Sequence, residues 1–417
     1  MRLRAGLAAL IGALVAVALV ARALNGGGPD APCPAGGCST VPTQLACHEL
    51  GTRDLNPENR PISPKPDRPL LPRRSDGRVQ MGFNDSAYQA GQATLAEDVA
   101  LQRGAGSTLW RLPLSWSAAE PSPGEFDFAQ TDPGYCAALE AGIQPVLVLS
   151  DSPGWAADTS RPCPDSCVRP PTPEHDADLQ RFAEAAAIRY PDAAAIEAWN
   201  EPNLHQYWAS PDPADYVDVL RAIYQGVKDG DPSMPVLGGG FSNQQADDPV
   251  TGNLSETTFL NGMYVAGAAQ YMDALSVHPY PVYPLDDPRE LFSPTMATVR
   301  SIAARYEGPE GPRLWVTELG AVTPPVGPTG FPFSPAQQAG TLLGIYQRLN
   351  RAPDVDAVIF HTLIEPTAAI PGPPGFGWVL PRDPADNFYP KPAYCAFANL
   401  LARPIDCGQP IPLTGAG

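Results

Sequence analysis

The chain has 417 residues, and its 27 basic side chains against 45 acidic ones give a net charge of −18. This balance excludes the basic footprint that a nucleic-acid-binding protein needs, and it suits a protein whose substrates are neutral. The length accommodates one large barrel or two modest domains.

The first 24 residues have the features of a targeting segment. Arg2 and Arg4 precede an unbroken apolar run, Ala5–Ala21, and Ala21-Arg22-Ala23 offers a small-x-small cleavage site. An apolar run of about 17 residues lies at the border between a signal peptide and a short membrane anchor, and both alternatives stay open. Either one predicts an exported bacterial protein, secreted or held at the cell surface.

Residues 25–76 are rich in Pro, Gly and Arg, as in LNPENRPISPKPDRPLLPRRSDG (55–77). A segment of this composition buries little apolar surface, so we predict an extended N-terminal extension. From residue 77 to 407, short apolar runs alternate with amphipathic helical stretches. This alternation is typical of βα units with parallel strands. Residues 408–417 are predicted to form a C-terminal tail.

Export makes the eight cysteines candidates for disulfides. Sequence alone does not select among the 105 pairings of eight cysteines, but short separations favour some of them. A zinc site is the alternative, and the absence of a CxxC pair or an HExxH motif argues against it. The favoured pairs are Cys163–Cys167, Cys395–Cys407, Cys33–Cys38 and, by remainder, Cys47–Cys136.

The alternating pattern predicts a single (β/α)8 TIM barrel with enlarged βα loops. A doubly wound sheet is the alternative, but no Gly-rich phosphate loop follows the first strand. The eight predicted strands are 78–85, 108–116, 144–151, 195–202, 235–242, 273–281, 313–320 and 356–365.

Several helices between the strands carry their own start signals. Asp212-Pro213 opens an amphipathic stretch, and Ser334 with Gln337 forms a capping box at the start of another. Residues 178–190 have apolar side chains at helical spacing. KPAYCAFANLLARP (391–404) is predicted to be the last helix of the barrel.

Polar residues cluster at the carboxyl ends of the predicted strands, where barrels build their active sites. A charge within an apolar strand is costly unless it is used or paired. Glu201 and Glu318, on strands 4 and 7, are the kind of carboxyl pair that glycoside hydrolysis needs, one protonated to donate and one ionised to attack. The polar and aromatic strand-end residues are Asn84, Asp85, Arg111, Trp116, Asp151, Asn200, Glu201, His278, Tyr280, Glu318, His361 and Glu365.

The motifs WNEPN (199–203), VHPY (277–280) and WVTELG (315–320) resemble those of the retaining (β/α)8 glycoside hydrolases of clan A. IEAWNEPNLHQYW (196–208) is especially similar to glycoside hydrolase family 39, which includes β-xylosidases, α-iduronidases and exopolysaccharide hydrolases. EPSPGEFDF (120–128) and AGIQPVLVLSDSPGW (141–155) add to the resemblance, which covers residues 78–402. It implies a retaining O-glycosyl hydrolase that cleaves an oligo- or polysaccharide without a metal or organic cofactor.

The resemblance also implies roles for individual residues. Glu201 would be the general acid and then the base, and Glu318 the nucleophile. Arg111 and Tyr280 would hold Glu318 ionised, Asn200 would bind the hydroxyl beside the anomeric carbon, and His278 would line the same subsite. Loop aromatics would stack on sugar rings: Trp155, Tyr207, Trp208 and Trp378. Strand 8 reads FHTLIE (360–365), without the Trp that many clan members have there, so His361 or Trp378 would replace it.

Two alternatives to a hydrolase remain. A transglycosylase would use a second sugar in place of water, and a catalytically silent polysaccharide-binding protein would keep the cleft without turnover. A serine hydrolase is disfavoured because the chain has no GxSxG motif.

Overall fold

The computed structural model describes residues 71–163, 166–281, 288–323, 334–366, 375–401, 403 and 405–413. The predicted targeting segment 1–24, the extension up to residue 70 and residues 414–417 lie outside these ranges, as do Cys33, Cys38 and Cys47. Within the described part of the chain, no helix is both long and apolar enough to cross a bilayer.

Eight parallel strands close into a barrel in sequence order, with the first strand paired to the last. The predicted TIM barrel and each of its eight strands are therefore confirmed. Most strands end earlier than the sequence suggests, because the chain turns into βα loops at their carboxyl ends. The strands are β1 (Gln80–Asn84), β2 (Leu109–Ser115), β3 (Gln144–Ser150), β4 (Ala195–Ala198), β5 (Val236–Ser242), β6 (Ala274–His278), β7 (Leu314–Val316) and β8 (Val355–Phe360).

Helices surround the barrel, and the start signals read from the sequence are observed. The Asp212 side chain accepts hydrogen bonds from the first-turn amides of the helix that begins at Pro213, and Ser334 with Gln337 forms the capping box of the helix that begins at Pro335. The described α-helices are α1 (Leu95–Ala105), α2 (Trp116–Ala119), α3 (Asp132–Glu140), α4 (Asp176–Arg189), α5 (Pro213–Gly230), α6 (Glu256–Val265), α7 (Pro288–Glu307), α8 (Pro335–Arg351) and α9 (Pro392–Leu400).

The interior of the barrel changes from apolar to polar along the strands. Successive side chains alternate between the two faces of a strand, so residues two apart share the interior. At one end the interior is a small apolar cluster, here called the floor. Four buried polar side chains form the next layer, each two residues beyond a floor residue: Arg111 after Leu109, Glu197 after Ala195, Ser276 after Ala274 and Thr317 after Trp315.

The last part of the N-terminal extension packs against the floor. Leu71 contacts the floor cluster, and the Arg73 guanidinium donates to the carbonyls of Asn350 and Ala352 at the end of α8. Residues 71–76, predicted to belong to an extended lead-in, thus cover the barrel end opposite the carboxyl ends of the strands.

Two of the predicted disulfides are present, Cys163–Cys167 and Cys395–Cys407. The first closes a small turn in the loop after β3, and the second ties α9 to the C-terminal segment. Cys136 is also disulfide-bonded. The predicted pairs Cys33–Cys38 and Cys47–Cys136 involve residues outside the described ranges.

Candidate active site

Glu201 lies in a tight turn just after β4. Trp199 and Glu201 have φ values of 76° and 43°, in the left-handed region of backbone conformation that residues other than glycine rarely adopt. The turn is held by a hydrogen bond from the Glu201 amide to the Gly240 carbonyl at 2.7 Å. The Trp199 ring is buried and packs edge-on against Trp208, which anchors the turn in the core. Such backbone strain is characteristic of functional sites.

The carboxyl group of Glu201 is fully buried at the end of the barrel interior. Its Oε1 lies 3.0 Å from Nδ1 of His278, whereas Oε2 has no hydrogen-bond partner in the described part of the chain. Burial raises the pKa of Glu201, and the hydrogen bond and charge of His278 offset this only in part. The group is therefore suited to carry a proton that it can release through Oε2.

Glu318 follows β7, and both of its oxygens accept hydrogen bonds. Arg111 Nη1 and Asn84 Nδ2 donate to Oε1 at 2.6 and 2.7 Å, and the Tyr280 hydroxyl donates to Oε2 at 2.9 Å. Burial alone would raise the pKa of Glu318, but nearby cationic groups and the Tyr280 hydrogen bond outweigh burial and lower it to about 2. The contacts of Arg111 and Tyr280 that the family resemblance implied are thus present.

The cationic neighbours that lower the pKa of Glu318 are His278 first and Arg111 second. The pKa of His361 is lowered by burial, so its ring contributes little positive charge there. Arg111 stays protonated at all relevant pH values because its carboxylate neighbours outweigh the effect of burial and raise its pKa. Tyr280 stays a hydroxyl donor, since burial and the charge of Glu318 raise its pKa well above the usual value.

Glu201 and Glu318 are close together and differ in charge. One oxygen of each carboxyl group and one ring nitrogen of His278 all lie within 4.8 Å of one another. Three such ligands could also approach a cation, but Arg111 and Tyr280 already donate to both oxygens of Glu318. Two neighbouring carboxyls whose surroundings move their pKa values in opposite directions are the arrangement expected of an acid and a nucleophile.

Arg111 also orients Asn200. Its Nη2 donates to the Asn200 side-chain oxygen at 2.9 Å, so the NH2 end of this partly exposed amide is the end available to a ligand. A hydroxyl of a bound molecule beside Glu318 would meet a donor there. The expected role of Asn200 in binding stays a prediction, as do those of Arg111 and His278.

Sequence reasoning missed Glu197, which is fully buried in β4. It accepts a hydrogen bond from Arg111 Nε at 2.6 Å through Oε2, and Thr317 and Ser276 donate to its Oε1 at 2.7 and 2.5 Å. The signal that could have found it is a lone carboxylate inside an apolar strand, four residues before Glu201 and two after a floor residue.

The aromatic side chains differ from expectation. Trp378 was expected to stack on a sugar or replace the missing strand-8 Trp, but its ring is fully buried and packs against Phe83 and Phe360, with centroids 4.7 Å away in each case. A ring with no exposed surface cannot stack on a ligand, so this expectation is wrong. Trp208 is fully buried as well, and Tyr207 nearly so.

Trp155 keeps some exposed surface. It packs edge-on against Trp116 and His175, and its indole nitrogen donates to the Glu120 carbonyl at 3.1 Å. These contacts fix the loop after β3, and the expected stacking on a sugar stays a prediction.

Other strand-end residues have mainly structural contacts. Asp85 is buried and accepts the backbone amides of Leu363 and Ile364, both at 2.8 Å. Glu365 pairs with Lys391 at 3.1 Å. Asp151 is partly exposed, and burial raises its pKa to about 6. His361 lies next to the site, with Nδ1 3.4 Å from Nδ2 of Asn84.

No protein-family model and no curated protein matches the chain. Solved structures do match in fold. A family 39 glycoside hydrolase from Bacteroides cellulosilyticus has 22% sequence identity and a TM-score of 0.59, with 80% of this chain and 65% of that chain covered. A family 39 β-xylosidase from Caulobacter crescentus has 20% identity and a TM-score of 0.56, with 81% and 73% covered.

An exo-β-1,4-mannosidase from an Opitutaceae bacterium also matches, with 18% identity, a TM-score of 0.54, and 82% of this chain and 62% of that chain covered. The present chain thus spans somewhat less than two thirds of the length of two of these proteins. At these identities the comparison establishes the fold: a (β/α)8 barrel similar to those of family 39 glycoside hydrolases.

Proposed function

We propose that this protein is a retaining glycoside hydrolase that cleaves O-glycosidic bonds of an oligo- or polysaccharide. The observation that carries the proposal is the Glu201–Glu318 pair, buried, within 4.8 Å, and with pKa values moved in opposite directions. Retaining glycosidases hold their two carboxyls about 5 Å apart, whereas inverting enzymes need a wider gap of roughly 6.5–9.5 Å for a water molecule.

In the first step the Glu318 carboxylate attacks the anomeric carbon and forms a glycosyl ester. The bond to the leaving oxygen breaks, its electron pair stays on that oxygen, and the oxygen takes the proton of Glu201. Glu201 is suited to this role because burial keeps it protonated at a pH where Glu318 is ionised.

In the second step Glu201, now a carboxylate, removes a proton from water as the water oxygen attacks the anomeric carbon. The ester bond breaks, Glu318 regains its negative charge, and the sugar leaves with its original configuration. Arg111 and Tyr280 stabilise the returning carboxylate through the hydrogen bonds they already make to Glu318.

The surroundings of the pair fit a carbohydrate substrate. Asn200 presents an amide beside Glu318, and the chain carries an excess of acidic residues, which favours a neutral ligand over an anionic one. The solved structures with similar folds include a β-xylosidase and an exo-β-1,4-mannosidase. They support the general class of substrate, and the sugar itself is left to experiment.

The decisive experiment is trapping with a panel of 2-deoxy-2-fluoro glycosyl fluorides, followed by intact mass and peptide mapping. The fluorine slows the second step, so we expect a sugar ester on Glu318. Glu318→Gln should remain unlabelled, and Glu174→Gln, which changes an exposed carboxyl group, should label like the wild type. A label on any other residue would exclude the proposed mechanism.

Turnover assays separate the proposal from its two alternatives. Product analysis at high acceptor concentration would detect a transglycosylase, because the glycosyl ester would then pass to a second sugar. A silent binding protein would retain polysaccharide in an array assay but would neither label nor turn over, and Glu318→Ala would leave its affinity unchanged.

We also propose that the protein is exported. The targeting segment 1–24 supports this, and so do the disulfides Cys163–Cys167 and Cys395–Cys407, which are typical of oxidising compartments. N-terminal sequencing after expression in a bacterial host is the test. A new terminus near Ala23 would indicate a cleaved signal peptide, an intact leader in the membrane fraction an anchor, and an intact leader in the cytoplasm would contradict export.

A further inference from the structure

A buried chain of hydrogen bonds runs beneath the two carboxyls, from Glu201 to Glu197. Oε1 of Glu201 lies 3.0 Å from Nδ1 of His278, and Nε2 of the same ring lies 3.1 Å from the Thr317 hydroxyl. The Thr317 hydroxyl lies 2.7 Å from Oε1 of Glu197, whose Oε2 pairs with Arg111. All five side chains are at most 3% exposed, so solvent does not interrupt the chain.

The number of available protons determines the direction of these hydrogen bonds. Thr317 has one hydroxyl proton, and Glu197, as the partner of Arg111, can only accept. A hydrogen bond to a carboxylate is charge-assisted, and the Thr317–Glu197 contact is shorter than the Thr317–His278 contact. The Ser276 hydroxyl lies 2.5 Å from both Oε1 of Glu197 and the Thr317 hydroxyl, and it gives its own proton to Glu197, so it can only accept from Thr317. The Thr317 proton therefore goes to Glu197 or to Ser276, and Thr317 can only accept from His278. Nε2 of His278 must then carry a proton.

The other ring nitrogen faces Glu201. Oε1 of Glu201 is the oxygen in contact with His278, and Oε2 is the one without a partner in the described part of the chain. A proton that is to reach a leaving oxygen must sit on the free oxygen, Oε2. The contact between Oε1 and Nδ1 then needs its own proton, and that proton sits on the ring.

Charge balance agrees with a ring that carries two protons. The groups that face His278 and Glu201 come from five strands and their loops: Arg111 (β2), Glu197 and Tyr207 (β4), Tyr280 (β6), Glu318 (β7) and His361 (β8). Glu197 and Glu318 are negative, Arg111 is positive, and the tyrosines are neutral. A positive His278 makes this buried cluster neutral while Glu201 is protonated, and buried charge is least costly when balanced.

The same balance holds through the proposed reaction. When Glu201 gives its proton to the leaving oxygen it becomes negative, and in the same step Glu318 loses its negative charge by forming the ester. The net charge of the cluster does not change, so a doubly protonated His278 suits both halves of the cycle.

We propose that Thr317 and Glu197 are positioning residues that make His278 donate from both ring nitrogens, so that the transferable proton of Glu201 is held on Oε2. The proposal extends the proposed glycosidase function, on which its kinetic test depends. Its spectroscopic test is independent of any activity.

Thr317→Val is the informative change, because it removes the hydroxyl and keeps the shape of the side chain. Nε2 of His278 would lose its acceptor, and a buried unpaired N–H is costly, so the ring should give up that proton and become neutral. Without the positive ring, both Glu201 and Glu318 hold their protons more tightly. Both limbs of the kcat/KM–pH profile should move to higher pH by about one unit.

Two variants accompany it. Thr317→Ser restores the hydroxyl and should return both limbs to their wild-type positions. Thr341→Val removes a buried hydroxyl on α8, away from the site, and should leave the profile unchanged. A Thr317→Val enzyme that loses rate without any shift of the limbs, or whose limbs move to lower pH, would overturn the proposal.

Nitrogen NMR of the full-length protein labelled at its five histidines reports on the ring directly. The His278 signals, assigned by their loss in His278→Asn, should show a proton on both nitrogens at neutral pH in the wild type. Thr317→Val should show a proton on one. A neutral wild-type ring would overturn the positioning role of Thr317 and Glu197 and leave the glycosidase proposal standing. A doubly protonated ring in a protein without turnover would support the positioning role and contradict the glycosidase proposal.

Discussion

At the scale of single residues, the two carboxyls differ because of the donors around them. Glu318 accepts hydrogen bonds at both oxygens, from Arg111, Asn84 and Tyr280, which stabilise its ionised form. Glu201 contacts one ring nitrogen and has an oxygen with no partner among the described residues, so burial dominates and favours its protonated form. The difference in pKa between two chemically identical groups is therefore built by their neighbours.

The first consequence concerns the pH dependence of activity. Turnover needs Glu318 ionised and Glu201 protonated. We expect kcat/KM to rise as the pH passes through about 2, where Glu318 titrates, and to fall only above the ordinary glutamate pKa of roughly 4.3, because the pKa of Glu201 is raised. Initial rates on an uncharged substrate, from about one pH unit below the Glu318 pKa up to pH 9, would measure both limbs. A basic limb below the ordinary glutamate value would contradict the assignment of Glu201 as the acid.

The second consequence concerns stability, because ionisation of Glu201 should destabilise the fold whereas ionisation of Glu318 should stabilise it. A group with a raised pKa in the folded state destabilises the fold once the pH exceeds its unfolded value, and a group with a lowered pKa stabilises it over the same range. At pH 8 we therefore expect Glu201→Gln to raise the melting temperature. Glu318→Gln should lower it, because the buried Arg111 loses a charged partner.

Each substitution serves as the matched control of the other. The Glu201 effect should vanish below the unfolded glutamate pKa of roughly 4.3, whereas the Glu318 effect should shrink at pH 3 and be lost only as the pH falls through about 2. Thermal melts of the wild type, Glu201→Gln and Glu318→Gln at pH 3 and pH 8 would provide the comparison. A loss of stability on Glu201→Gln at pH 8 would mean that its ionised form is favoured in the fold.

At the scale of elements, the close approach of α4 and α5 depends on a glycine. A Cβ atom at Gly226 of α5 would lie 2.0 Å from the carbonyl oxygen of Gln180 in α4, a contact that only movement of the backbone could relieve. We expect Gly226→Ala to lower the free energy of unfolding by about 1–3 kcal/mol, the usual cost of overpacking.

Gly340 in α8 is the matched control, because a Cβ atom there would meet nothing within 4 Å. Alanine in an open helical position restricts the unfolded chain, so Gly340→Ala should raise the free energy of unfolding by about 0.5–1 kcal/mol. Denaturant titrations of both variants would test the pair. Equal effects of the two substitutions would show that helix propensity, and not the approach of α4 to α5, determines the outcome at Gly226.

The elements also show what the sequence can and cannot predict. Apolar runs of strand length and local capping residues such as Ser334 depend on near neighbours, so the strands and several helix starts were predictable. Glu201 was found from its motif, but the left-handed turn that directs it depends on tertiary contacts such as the bond to the Gly240 carbonyl. The exposure of Trp378 depends on how its loop packs on β1 and β8, which no local pattern records.

Glu197 was missed for a different reason. Its strand was interpreted as one apolar run, although alternation along the strand places Glu197 on the same face as Ala195, inside the barrel. A carboxylate at an inward position requires a buried cation, and Arg111 is the cation in the same layer. The alternation of inward and outward side chains along β2 and β4 places both Arg111 and Glu197 inside the barrel, and this alternation is a signal that would have indicated their ion pair.

At the scale of the whole molecule, one end of the barrel holds the candidate active site and the other end is closed by apolar packing. The carboxyl ends of the strands hold Glu201 and Glu318, and the opposite end is closed by the floor and by Leu71. The chain that leads to residues 1–70 therefore enters at the end away from the candidate active site.

This arrangement separates the effects of two truncations. Removal of residues 1–70 should leave kcat/KM unchanged, because the described hydrogen-bond partners of the Glu201 and Glu318 carboxyls all lie beyond residue 70: Asn84, Arg111, His278 and Tyr280. Removal of residues 1–76 also deletes Leu71 and the hydrogen bonds of Arg73 to the end of α8, which exposes part of the floor. Both forms lack the three N-terminal cysteines, so their difference isolates residues 71–76.

We expect the shorter form to melt at a lower temperature, by several degrees, while its kcat/KM at 25 °C stays that of the longer form. An equal melting temperature would show that residues 71–76 contribute nothing to the closure of the barrel, and a fall in kcat/KM alone would show that the extension reaches the opposite end.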